Sequence, residues 1–141
     1  MVTIKEMEEA CEENYGIDVN IDEVIHDNKK YWKFSIFDYD ADGFIGIAEL
    51  DLQNFNLEGF FGGRIELGKM ICDGCAFSKY EDILNKHENF SNSPENAVDI
   101  ILNNLTAEQI LEEIMDCIRD EIKEYISWSN MVLDTLDYDC Y

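Results

Sequence analysis

Residues 106–125 constrain the fold more than any other segment. At 100° per residue, Ile110, Leu111, Ile114, Met115, Ile118, Ile122 and Tyr125 share one arc of about 140°. Glu108, Glu112, Glu113, Asp116, Asp120 and Glu124 lie on the opposite arc. Such a helix must rest one side on a core and leave the other in water. Thr106 and Gln109 form the capping box that starts it. It is predicted to reach about Tyr125 and to continue toward Leu136 across residues 127–130.

An apolar stripe of that length needs something to cover. The 141 residues are 46% hydrophobic, enough for a core, and one domain is expected over residues 1–141. A second amphipathic helix is predicted near the start. Thr3 and Glu6 make a capping box, Ile4, Met7, Ala10, Cys11 and Tyr15 follow helical spacing, and Gly16 ends it. Glu8, Glu9, Glu12 and Glu13 are expected to stay in water. Residues 30–39 (KYWKFSIFDY) are aromatic and β-branched, hence strand-forming. Residues 44–52 alternate, with Phe44, Gly46, Ala48, Leu50 and Leu52 on one side. Asp27-Asn28-Lys29 reads as a turn, and residues 22–27 as the strand before it. Residues 64–71 are a candidate fourth strand. Ser78 with Glu81, and Ser93 with Pro94, open two further helices. The expected fold class is α+β: an N-terminal helix and a three- to four-stranded antiparallel sheet within residues 1–77, then a C-terminal helical bundle over residues 78–141.

Charge narrows the function classes. Thirty-two Asp and Glu oppose ten Lys and Arg, for a net charge of -22. Direct binding to nucleic acid or to an anionic membrane is excluded as an expectation, because both need a basic footprint. Residues 1–27 carry a net charge of -8 and residues 106–141 another -8, so the charge is concentrated at both ends. Self-repulsion at this density opposes folding, which favours a cationic partner. Carboxylates four apart on a helix are about 6 Å apart along its axis. Two base steps of DNA rise about 6.8 Å. The acidic stripe thus approximates the charge spacing that basic nucleic-acid grooves receive. In size and charge the chain resembles small acidic inhibitors of phages and mobile elements, including nucleic-acid mimics of the anti-CRISPR and anti-restriction type. That resemblance implies a basic protein partner, a nucleic-acid-binding enzyme, engaged through Glu108, Glu112, Glu113, Asp116, Asp120, Glu124, Glu8, Glu9, Glu12 and Glu13. A structural or assembly subunit is the blander alternative.

Residues 38–49 (DYDADGFIGIAE) resemble the EF-hand calcium loop. By that resemblance Asp38, Asp40, Asp42, the Phe44 carbonyl and Glu49 would hold calcium, and Gly43 would make the sharp turn. The flanking segments read better as strands, and a hairpin is the competing expectation. The apolar residues after Glu49 follow strand alternation rather than the spacing of an exiting helix.

Chemistry-bearing residues are otherwise sparse. Cys72 and Cys75 form a C-x-x-C with no second ligand pair at recognisable spacing. The two histidines, His26 and His87, are isolated. Neither a phosphate-binding loop nor a nucleophile–base pattern is present, so no enzyme and no obligatory cofactor are expected. The five cysteines are odd in number, and the first sixteen residues lack an apolar run. Both suggest a reduced, cytoplasmic setting. Phe60-Phe61, flanked by glycines, is the candidate exposed apolar anchor.

Overall fold

The computed structural model describes residues 2–39, 41–72, 77–87 and 94–139; of Cys72, Phe77, Pro94, Glu95 and residues 132–139 only the backbone is described. Helix α1 spans Ile4–Tyr15 and begins and ends as its sequence dictates. The Thr3 hydroxyl accepts the Glu6 amide at 3.2 Å, and Gly16 adopts φ +65°, donating its amide to the Glu12 carbonyl.

Five strands follow: β1 (Val19–His26), β2 (Lys29–Asp38), β3 (Gly43–Asp51), β4 (Asn56–Gly59) and β5 (Arg64–Glu66). They form one antiparallel meander in sequence order. Asp27 and Asn28 both take positive φ, the geometry of a two-residue hairpin turn. The sheet has five strands rather than three or four, because Asn56–Gly59 pairs with β3 as a strand the sequence did not announce, and residues 64–71 divide. Arg64–Glu66 pairs with β4, and Leu67–Cys72 turns into helix α2. The first amides of α2, on Leu67 and Gly68, donate to the Phe55 and Asn54 carbonyls. A Cβ on Gly68 would lie 2.7 Å from the Asn54 oxygen, so only glycine fits that approach. Asp51 shapes the turn before β4 by accepting the Gln53 amide at 2.9 Å.

A bulge corrects the predicted phase of β3. Phe34 pairs with Ala48 but Ser35 pairs with Gly46, so Ile47 is the extra residue. Beyond it Ile45, not Phe44, lines up with Ile36 and Val19. Phe44 is 58% exposed as a result, while Ala48 and Leu50 are fully buried.

Three more helices complete the chain: α3 (Phe77–Asn85), α4 (Pro94–Asn104) and α5 (Ala107–Asp139). Helix α3 already includes Ser78, so Ser78 is not its cap; Ser93 lies outside the described residues. Helix α5 has 33 residues and runs unbroken through residues 127–130, about 50 Å in all. Its capping box forms as predicted: Gln109 N–H donates to the Thr106 hydroxyl at 3.2 Å, and Thr106 N–H to the Gln109 side chain at 2.9 Å.

One face of the sheet carries the registered rows Ile21–Phe34–Ala48 and Trp32–Leu50–Leu57–Ile65. Helix α1 packs beside β1, α5 crosses β3 to β5, and the two helices pack against each other. Met7, Phe34, Leu50, Leu57, Leu111 and Ile114 are completely buried in the resulting cluster. Each such side chain contributes about 1.5–3 kcal/mol by leaving water. The opposite face carries a charged row, Asp22–Lys33–Glu49–Glu58–Arg64, crossing all five strands. Among the described residues no helix is long and apolar enough to cross a membrane.

Candidate functional site

Both acidic segments meet at one corner. Val2 and Glu6 lie beside residues 105–108, and the Arg119 guanidinium stacks 4.8 Å from the Tyr15 ring centroid. Helices α1 and α5 therefore run in the same direction, side by side. Glu6, Glu9 and Glu13 from one helix and Glu108 from the other line a single groove of about 460 Å³. Glu9, Glu12, Glu13, Glu108, Glu112, Asp116, Asp120 and Glu124 are all exposed. None forms a salt bridge with another described residue; the ion pairs among the described residues engage Glu23, Glu49, Glu58 and Glu66 on the sheet and Glu113 on α5.

Two predicted surface carboxylates work within the fold. Glu8 accepts the Ile21 amide at 3.0 Å and ties α1 to β1. Glu113 accepts the Tyr80 hydroxyl at 2.5 Å and pairs with Lys79, tying α5 to α3. Burial first, then that bond to Glu113, pushes the Tyr80 hydroxyl pKa upward.

The segment resembling a calcium loop is a strand–turn–strand unit. Asp38 pairs with Gly43 across the hairpin, and Asp42 sits in the turn with φ +51°. Asp38 accepts the Ala41 amide at 3.3 Å and also the Tyr125 hydroxyl. Glu49 lies six residues along β3 from Gly43, about 20 Å away at strand rise. There it pairs in register with Lys33 and contacts His26 at 3.5 Å. The hairpin thus separates Glu49 from Asp38, Asp42 and Phe44 instead of folding it back over them. Asp40, Cys75 and Cys140 lie outside the described residues. Among the described residues no three His, Cys, Asp or Glu side chains are grouped to hold a metal ion.

Glu121 is the residue that the predicted acidic stripe leaves out. It is 1% exposed, and its carboxylate accepts the Phe61 amide at 2.7 Å and the Gly63 amide. A Cβ on Gly59 would overlap that carboxylate, and one on Gly63 would lie 2.6 Å from it and 2.8 Å from the Cys117 sulfur. Gly59 at the end of β4 and Gly63 in the loop after it leave room for an acid that enters from α5. A signal was present in the sequence. At 100° per residue Glu121 falls among the apolar positions of its helix.

The loop held by Glu121 presents Phe60 and Phe61, which are 53% and 36% exposed. Phe61 contacts Tyr125 and Trp128, with ring centroids 5.9 and 6.4 Å away. Beyond Tyr125 the stripes of α5 change character. Ile126 and Met131 fall on the arc that carried carboxylates and are 50% and 63% exposed. On the other side of Tyr125 the tip of the β2–β3 hairpin supplies Phe37 and Tyr39, whose rings lie 4.8 Å apart. This end of the molecule is an aromatic surface beside the acidic one.

Compared with protein-family models, curated proteins and solved structures, the chain matches none. Function is therefore read from these two surfaces.

Cys11 and Cys117 are buried free thiols. Burial, reinforced by Glu8, pushes the Cys11 pKa up to about 11. Burial, with Glu121 and Asp120 adding to it, also raises that of Cys117. Neither has the electropositive surroundings that make a reactive thiolate.

Proposed function

We propose that this protein is an acidic binding module, not an enzyme, that occupies a basic nucleic-acid-binding surface on a partner protein. The observation that carries the reading is the joining of two carboxylate-bearing helices along one side of the molecule. Apart from Glu6, which caps α1, eight of their carboxylates are exposed and lack a salt-bridge partner among the described residues. Folding does not use these charges, and their mutual repulsion opposes it. A basic groove that normally holds phosphates would relieve that repulsion. Association would be fast and salt-dependent, and the module would compete with nucleic acid. The cytoplasm, where such partners work, is the proposed setting. This is inhibition of the anti-restriction or anti-CRISPR kind, stated by its chemistry.

Capture from a host lysate on immobilised protein tests the reading. Basic nucleic-acid-binding proteins should be retained, and heparin or DNA should release them. A variant carrying Glu108→Lys, Glu112→Lys, Asp116→Lys and Asp120→Lys should retain none of them. Recovery of partners without a basic surface would overturn the proposal.

A further inference from the structure

A cleft of about 250 Å³ opens between the β2–β3 hairpin and the later half of α5. Its walls include Phe37, Tyr39, Tyr125 and Ile126, with Asp38 among them. Sites for drug-sized ligands run to about 300–1,000 Å³, so this cleft suits one side chain. Tyr39 is 88% exposed and stands at its mouth. The Tyr125 hydroxyl donates to Asp38, which fixes the carboxylate against the aromatic wall.

We propose that this cleft receives an arginine side chain presented by a basic partner. An anion is disfavoured by Asp38 and by the net charge of -22. A purely apolar side chain would bury the Asp38 carboxylate, which accepts the Ala41 amide and the Tyr125 hydroxyl, without supplying an opposite charge. A cation meets both requirements, a carboxylate and the electron-rich faces of Tyr39, Phe37 and Tyr125. Guanidinium suits the walls better than ammonium, because it is planar, stacks on rings and is more weakly hydrated. A second copy of this chain is not the source. Its two arginines are engaged: Arg64 with Glu58 and Glu66, and Arg119 over Tyr15. The cleft would fix the register of a partner that the acidic helices attract less specifically. The inference rests on the reading of a basic partner only for where the arginine comes from.

The test is titration with N-acetyl-arginine amide, followed by backbone and methyl NMR shifts at constant ionic strength. N-acetyl-citrulline amide, its neutral isostere, is the control. Saturable shifts are expected at residues 36–39 and 125–130 with the arginine probe and none with citrulline. Tyr39→Ala should weaken the binding about five-fold, as expected for the loss of one exposed cation–π contact. Tyr39→Phe should preserve it, since the ring face remains. Shifts spread evenly along residues 108–120, or a Tyr39→Ala protein that binds as tightly as the parent, would overturn the proposal. The two readings fail separately. If the probe binds the cleft while the four-lysine variant still captures its partners, only the carboxylate-surface reading fails. If charge reversal abolishes capture and the probe finds no site, only the cleft fails.

Discussion

The carboxylate of Glu121, in the middle of α5, accepts the backbone amide of Phe61 at 2.7 Å, joining positions sixty residues apart in sequence. With the Gly63 amide as a second donor, one buried side chain fixes the β4–β5 loop against the longest helix. The same loop carries Phe61 to Tyr125 and Trp128. The aromatic end of the molecule is therefore held by an acid that belongs to the core.

Removing that acid should be costly. Glu121→Ala leaves two partly buried amides without their acceptor and is expected to destabilise the protein by about 2–4 kcal/mol. Gly59→Ala should cost a similar amount, because its new methyl would overlap the Glu121 side chain. The double variant should cost less than the sum of the two, since once the carboxylate is gone the methyl has space. Urea denaturation of the three proteins measures this. Strict additivity would mean that the loop and α5 are not coupled through this contact.

Neighbouring acids on α5 should behave differently from one another. Glu112→Lys and Asp116→Lys alter exposed positions without a salt bridge and should change stability by no more than about 0.5 kcal/mol. Glu113→Lys removes the acceptor of the Tyr80 hydroxyl and places a second cation beside Lys79. It should destabilise by about 1–3 kcal/mol. Denaturation midpoints that rank these three alike would contradict the contact between α3 and α5.

These contrasts show what the sequence displays and what it hides. Helices α1 and α5 were readable because Thr3–Glu6 and Thr106–Gln109 are local capping boxes and because the apolar spacing is helical. The Asp27-Asn28 turn was readable because both residues tolerate positive φ. The bulge at Ile47 was not, since only pairing with β2 decides which residue is extra. Glu8 and Glu113 look like their exposed neighbours, and only the approach of Ile21 and Tyr80 sets them apart. Glu121 was half legible: its helical angle marks it as buried, but its partners lie in a glycine loop far away in the chain. The aromatic cleft needs the hairpin tip and the end of α5 together, and no local pattern joins them.

Alkaline pH should weaken the fold through Cys11. Its folded pKa, about 11, lies above the ordinary thiol value of 9.0 that stands for the unfolded chain. Below about pH 9 both states keep the proton, and this group leaves stability unchanged. Between about 9 and 11 the unfolded thiol ionises while the folded one does not, so stability falls as pH rises. Cys11→Ala should make the pH dependence over that window shallower than in the parent. Chemical denaturation at a series of pH values tests this, and an unchanged slope in the variant would assign the dependence to other groups.

Salt should act in the opposite sense on the whole molecule. Nine exposed carboxylates on α1 and α5, Glu6 included, lack a salt-bridge partner among the described residues, and the chain carries a net charge of -22. Their repulsion acts over distances that salt shortens, from a screening length of about 30 Å at 0.01 M to about 10 Å at 0.1 M. Raising sodium chloride across that range should stabilise the folded state. If the gain is about 1 kcal/mol, the thermal midpoint should rise by roughly 3–5 °C for a domain of this size. The four-lysine variant has less repulsion to screen and should show a smaller rise. Circular dichroism melts of both proteins at the two salt concentrations make the comparison. Equal rises would mean that the repulsion is spread over the whole surface and that the α5 stripe holds no special share of it.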